Sequence, residues 1–159
     1  MKKIIFISLV VLFACKKKED AAPSNDETPQ SAMFYSIDNT TYNNLTTANM
    51  GKSSFGTTFQ VFVQPDMANS ANRCALSFFG FIPTSNFQGP NSGTYKVQSS
   101  FQTDTTKCVV SVKLNGAYYY SIADSGQVLV TKKSNGEINY QFSNVKVGAS
   151  NFASGNFTY

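Results

Sequence analysis

The chain has no histidine and no tryptophan, and among its 159 residues there is a single arginine, Arg73. Without imidazole there is no histidine triad, no histidine general base and no histidine metal ligand. Charge is also sparse after residue 33, where eight Lys or Arg stand against five Asp or Glu, a scattered net of +3. No basic stripe or RNA-binding aromatic motif is present, so nucleic acid is not an expected partner. The five acids are Asp38, Asp66, Asp104, Asp124 and Glu137, and the last two sit beside turn signals, where a solvated turn residue is the ordinary role. A two-carboxylate glycosidase pair is assembled only in three dimensions, and nothing in the spacing singles one out. The expectation is a non-catalytic chain that uses neither cofactor nor metal.

Long apolar runs are scarce too. The one long run, residues 4–14, follows Lys2 and Lys3 and is broken only by Ser8. A helix of that length reaches about 16 Å, roughly half of a bilayer's hydrocarbon core, and is too short to span it. A charged start before such a run is the pattern of a secretion signal. The run closes on Leu12, Phe13, Ala14 and Cys15 instead of Ala-x-Ala. This "LFAC" resembles a bacterial lipobox, with Leu at −3 and Ala at −1, although Phe13 is bulkier than the usual −2 residue. The resemblance implies that residues 1–14 are a lipoprotein signal peptide and that Cys15 carries a diacylglycerol and, on its freed amine, a further acyl chain such as palmitate. Each buried CH₂ contributes about 0.8 kcal/mol, so two or more chains hold a protein to a membrane that it does not cross.

The "KKKED" after Cys15 reads as a solvated charge run opening a linker. Lys followed by two acids also resembles a surface-export signal of some Gram-negative lipoproteins. Lys16 at +2, where Asp would mark inner-membrane retention, points to the outer membrane. The implied location is lipid-anchored at the outer membrane, with the periplasmic and outward faces both open. Residues 15–32, with two prolines and no large apolar side chain, cannot offset their ordering entropy and are expected to form a flexible tether.

Residues 33–159 change character, with aromatics and β-branched residues throughout, and are long enough for one domain with one core. Apolar residues alternate with a period of two. In "TTKCVVSVKL", Cys108, Val110, Val112 and Leu114 share a face; in "GEINYQFSN", Ile138, Tyr140 and Phe142 do; in "TTFQVFVQ", Phe59, Val61 and Val63 do. In "RCALSFFGFI" the set is Cys74, Leu76, Phe78 and Ile82, with Phe79 and Phe81 loading the other face. Asn115-Gly116 and Asn135-Gly136 predict two-residue hairpins with type I′ turns, and Asp124-Ser125-Gly126 a third turn. Strands are expected near 34–37, 57–64, 73–82, 94–98, 106–114, 117–122, 127–133, 137–143, 144–148 and 152–158. The fold class is all-β, an antiparallel β-sandwich or meander barrel of roughly 8–10 short strands.

Four segments, "FYSIDN", "GTYKV", "SGQVLVTKK" and "SGNFTY", occur in the order found in a group of small uncharacterised β-rich bacterial outer-membrane and surface lipoproteins. The resemblance implies a β-rich envelope lipoprotein and transfers no catalytic residue.

With Cys15 acylated, Cys74 and Cys108 remain as an even pair in an exported domain, which predicts a disulfide, the alternative being two separately buried thiols. The aromatics raise the question of binding. In "AYYYS" either Tyr119 or the Tyr118/Tyr120 pair must face outward, and "SFFGFIPTSNFQGP" adds Phe79, Phe81 and Phe87. Tyr and Phe faces stack on sugars or line ligand mouths, though in strands they are more often core and cross-strand pairs. Tyr119, Phe79, Phe81 and Phe87 are the candidate contacts. They would serve a module for a glycan, a peptide or a small apolar molecule. The alternative is a structural lipoprotein that docks on another envelope protein through a flat face or open strand edge.

Overall fold

The alternating segments build eleven strands in the computed structural model, which describes residues 32–81, 89–100 and 104–159. They are β1 (Met33–Ile37), β2 (Thr40–Leu45), β3 (Met50–Phe55), β4 (Thr58–Val63), β5 (Arg73–Phe78), β6 (Gly93–Val97), β7 (Lys107–Leu114), β8 (Ala117–Tyr120), β9 (Gln127–Lys132), β10 (Ile138–Val147) and β11 (Asn151–Thr158). One turn of 3₁₀ helix, Thr47–Asn49, joins β2 to β3. Residues 1–31, which include the expected signal peptide, Cys15 and nearly all of the expected tether, together with Ile82 and Phe87, lie outside the described residues.

The protein is all-β. The strands form a single sheet ordered β2-β1-β11-β10-β9-β6-β7-β5-β4-β3, with β8 on β7. The sheet curls into a half-barrel, so that residues of its inner face pack on one another. Phe78 of β5 meets Tyr95 of β6 edge-on at 4.9 Å and lies 6.0 Å from Tyr140 of β10. The core is the inward set of nearly every strand, among them Tyr35, Val61, Leu76, Val110, Val128, Tyr140 and Phe157. It includes the inward residues read from β4, β5, β7 and β10, with Leu114 packed half-buried at its margin.

The pairs are antiparallel except β6 with β7. That exception follows from a fork. Along one edge of β7, β6 pairs at Lys107 and Cys108, and β8 takes over from Ser111 to Leu114. Ser121, just past β8, also bridges Val147 at the end of β10. The sheet is therefore four strands wide at one end of this region (β10, β9, β6, β7) and three at the other. Ser121, 2% exposed, pins the fork: its hydroxyl donates to the Gln98 carbonyl at 2.7 Å and accepts from the Val110 N–H at 3.1 Å.

Several local expectations are corrected. β2 and β3 are additional strands, paired through the two-residue turns Asp38-Asn39 and Gly56-Thr57. The segments 137–143 and 144–148 are one strand, β10, whose register shifts between Phe142 and Val145. Asn144, at φ 55, is the extra bulged residue that returns Val145 and Val147 to the core face. Asn115-Gly116 makes the expected tight hairpin, with both residues at positive φ and Leu114 opposite Ala117. At Asn135-Gly136 only the glycine has positive φ, and Lys133 N–H bonds to the Glu137 carbonyl around a three-residue loop.

The expected disulfide is absent. Cys74 and Cys108 are both free and buried. Their strands are neighbours, but Cys74 pairs with Val112 and Cys108 with Phe78, four residues out of register. At about 3.4 Å per residue that places them about 14 Å apart along the strands, twice the reach of a disulfide. Burial pushes the Cys108 thiol up to about 12 and also raises that of Cys74.

Candidate ligand groove

The outer face of β4, β5, β7 and β8 is a grid of side chains fixed by the strand register. One row across it is Arg73, Lys113 and Tyr118; the next is Phe62, Ala75, Ser111 and Tyr120; the third begins Gln60, Ser77, Val109. The middle row makes a hollow, because two small residues, Ala75 and Ser111, lie side by side between large ones. The hollow holds about 190 Å³ and is lined by Gln60, Arg73, Ala75, Ser111, Lys113, Tyr118 and Tyr120. A second hollow of about 480 Å³ shares Gln60 and extends over Ser53, Thr58 and Ser77 to Phe55 at the β3–β4 turn.

The walls are ordered by contacts among themselves. Tyr118 and Tyr120 alternate outward on β8 and stack with centroids 5.9 Å apart and planes 11° from parallel. The Lys113 ammonium lies 4.9 Å from the Tyr118 ring centre. Opposite, the Arg73 guanidinium sits 3.7 Å over the Phe62 ring. It donates through Nη2 to Gln60 Oε1 at 2.6 Å, and Gln60 Nε2 donates to Ser77 Oγ at 2.9 Å. Phe62 can lie flat because Gly51 is its partner on β3: a Cβ there would come 2.2 Å from the ring. Arg73 Nε is buried with no hydrogen-bond partner among the described residues. Burial pulls the Arg73 pKa below its ordinary value, while a guanidinium keeps its charge in any ordinary environment.

The groove offers rings, an amide, hydroxyls and two cations. Under the hollow the backbone is used up, since β4, β5 and β7 are paired on both sides; β8 at its wall pairs with β7 and, on its far edge, is held at Tyr120 by the Gly148 N–H. The acids lie elsewhere and serve turns. Asp66 caps Ala68; Asp38 accepts from Phe152 N–H; Asp104 accepts from Thr106 and pairs with Lys107; Glu137 pairs with Lys133; Asp124 occupies a turn at φ 56. Hydrogen bonds from Thr106 and from Lys133 hold Asp104 and Glu137 below their usual values. Among the described residues no group of three or more Cys, Asp or Glu is placed to hold a metal ion.

The aromatic contacts expected from the sequence do not converge here. Tyr119 turns inward and packs half-buried against the core, so the outward members of the triplet are Tyr118 and Tyr120, 55% and 44% exposed. Phe79 is buried, Phe81 packs against the core, and Phe87 is outside the described residues. The residues that sequence reasoning missed are Gln60, Phe62, Ala75, Ser111 and Lys113, together with the lone Arg73. A usable signal was present in the two small residues at outward positions of otherwise bulky strands, "RCALSF" and "KCVVSVKL". Compared with protein-family models, with curated proteins and with solved structures, the chain has no match.

Proposed function

We propose that this chain is a bacterial envelope lipoprotein, anchored at the outer membrane through Cys15, that displays residues 33–159 as a non-catalytic ligand-binding domain. The anchor reading rests on the Lys pair, the short apolar run and "LFAC". The binding reading rests on one observation: a hollow floored by Ala75 and Ser111 and walled by Tyr118, Tyr120 and Arg73 on a sheet face whose strands are already paired. Of the three ligand classes, a glycan fits best, because parallel rings beside amide and hydroxyl groups match the apolar faces and hydroxyls of sugars.

The competing reading, docking on another envelope protein, is supported by Phe55, 89% exposed at the tip of the β3–β4 hairpin beside the open β3 edge. The two separate on a glycan array and an envelope pull-down with full-length protein. Replacing both Tyr118 and Tyr120 by Ala should weaken capture at least about tenfold, the loss of about 1.4 kcal/mol of ring contact, while Phe55→Ser should leave it unchanged. The opposite pattern would favour docking. Labelled fatty acid should enter the wild type and not Cys15→Ser; incorporation into both, or neither, contradicts the anchor.

A further inference from the structure

The groove is charged on one side only. Arg73 and Lys113 are directly opposed in the β5–β7 register, both line the hollow, and among the described residues no Asp or Glu does. The ion pairs found among the described residues use other lysines, Lys107 and Lys133. Arg73 is held in place over Phe62 and by Gln60, yet its Nε remains buried and unpartnered. A guanidinium half withdrawn from water stabilises an anion more than a fully solvated cation does, and its geometry suits the planar or tetrahedral oxygens of carboxylate and sulfate.

We propose that the groove binds an acidic sugar, its carboxylate or sulfate held between Arg73 and Lys113 and its ring set against Tyr118 and Tyr120. This rests on the ligand-binding reading of the groove and gives that ligand its chemical class. An acidic peptide would share the charge but not the rest of the fit. Extended peptides are recognised through a free strand edge, whereas Arg73 and Lys113 stand on β5 and β7, which are paired on both sides and present only side chains to the hollow. Ser111 and Gln60 beside the rings offer short-range hydroxyl and amide contacts suited to a hydroxylated ring.

The test uses full-length protein in detergent and matched probes: oligogalacturonate with its methyl ester, a sulfated oligosaccharide with its desulfated twin, and polyglutamate. At least one acidic saccharide should bind about tenfold or more tighter than its neutral twin, the scale of one charge-assisted hydrogen bond. Arg73→Gln and Lys113→Gln should each abolish that preference, and Tyr118→Ala should weaken both twins. Should Arg73→Gln fail to fold, Lys113→Gln at the half-exposed rim still decides the charge question. Equal binding of both twins, still weakened by Tyr118→Ala, overturns the acidic-sugar inference and leaves the groove reading standing. Absence of saccharide binding, or binding indifferent to Tyr118→Ala, overturns both. Polyglutamate binding as tightly as the acidic sugars overturns the sugar in favour of a peptide.

Discussion

Ser121→Ala removes one oxygen from the place where the sheet divides. In a regular parallel ladder, the Val110 N–H would reach the Gln98 carbonyl as the rung after Gln98 N–H to Cys108 O, a bond of 2.9 Å. At the fork the serine hydroxyl is inserted into that rung, accepting from Val110 N–H and donating to Gln98 O. Its own N–H bonds to Val110 O at 2.8 Å, so the backbone there is held and cannot swing to restore the direct contact. Alanine leaves one buried donor and one buried acceptor unmatched, each costing about 1–2 kcal/mol, or about 2–4 kcal/mol together. For a domain of this size that corresponds to a melting-temperature drop of roughly 7–15 °C. Calorimetry and urea unfolding of full-length wild type and variant measure it directly. A loss under about 0.5 kcal/mol would mean that the fork is not held by this hydroxyl and would refute the reasoning.

Three further outcomes follow from the packing. Mass spectrometry of unreduced protein should find Cys74 and Cys108 as thiols that resist an aqueous thiol reagent at neutral pH until the chain unfolds, because burial disfavours both thiolates; a recovered Cys74–Cys108 bridge would contradict the register of β5 and β7. Tyr35→Phe should be neutral or stabilising by up to about 1–2 kcal/mol in a urea titration, since the Tyr35 hydroxyl is buried with no hydrogen-bond partner; a clear loss would show that the hydroxyl has a partner. Gly155→Ala should destabilise by about 1–3 kcal/mol, its Cβ meeting the enclosed Phe142 ring at 2.7 Å, whereas Gly51→Ala should cost less because half-exposed Phe62 can swing aside.

What could be read in the sequence was what one-sided burial writes there. β4 and β10 alternate because one face is core, and β7, though buried on both faces from Cys108 to Val112, keeps its larger apolar set on the inner one; their inward residues were named correctly for that reason. β2 and β3 escaped notice because they are the sheet's two edges, with only Leu45 and Met50 buried between them. Pairing holds them in place, not an apolar face, and polar edges also discourage pairing with other chains. The bulge at Asn144 restarts the alternation out of phase and so mimics a strand break. The groove was out of reach for another reason. Its rows run across strands, and Arg73 meets Lys113 only through a register set by the whole sheet. The same register separates the two cysteines that even-number counting would join.

The central claim is that the outer face of β4, β5, β7 and β8 is where a ligand sits. Hydroxyl-radical footprinting of the full-length protein, with and without the saccharide captured on the array, tests it residue by residue. Protection should centre on Tyr118, Tyr120 and Phe62, with Phe152 and Tyr42 unchanged. Protection confined to Phe55 and the β2 or β3 edge, with Tyr118 and Tyr120 labelled equally in both states, would contradict it.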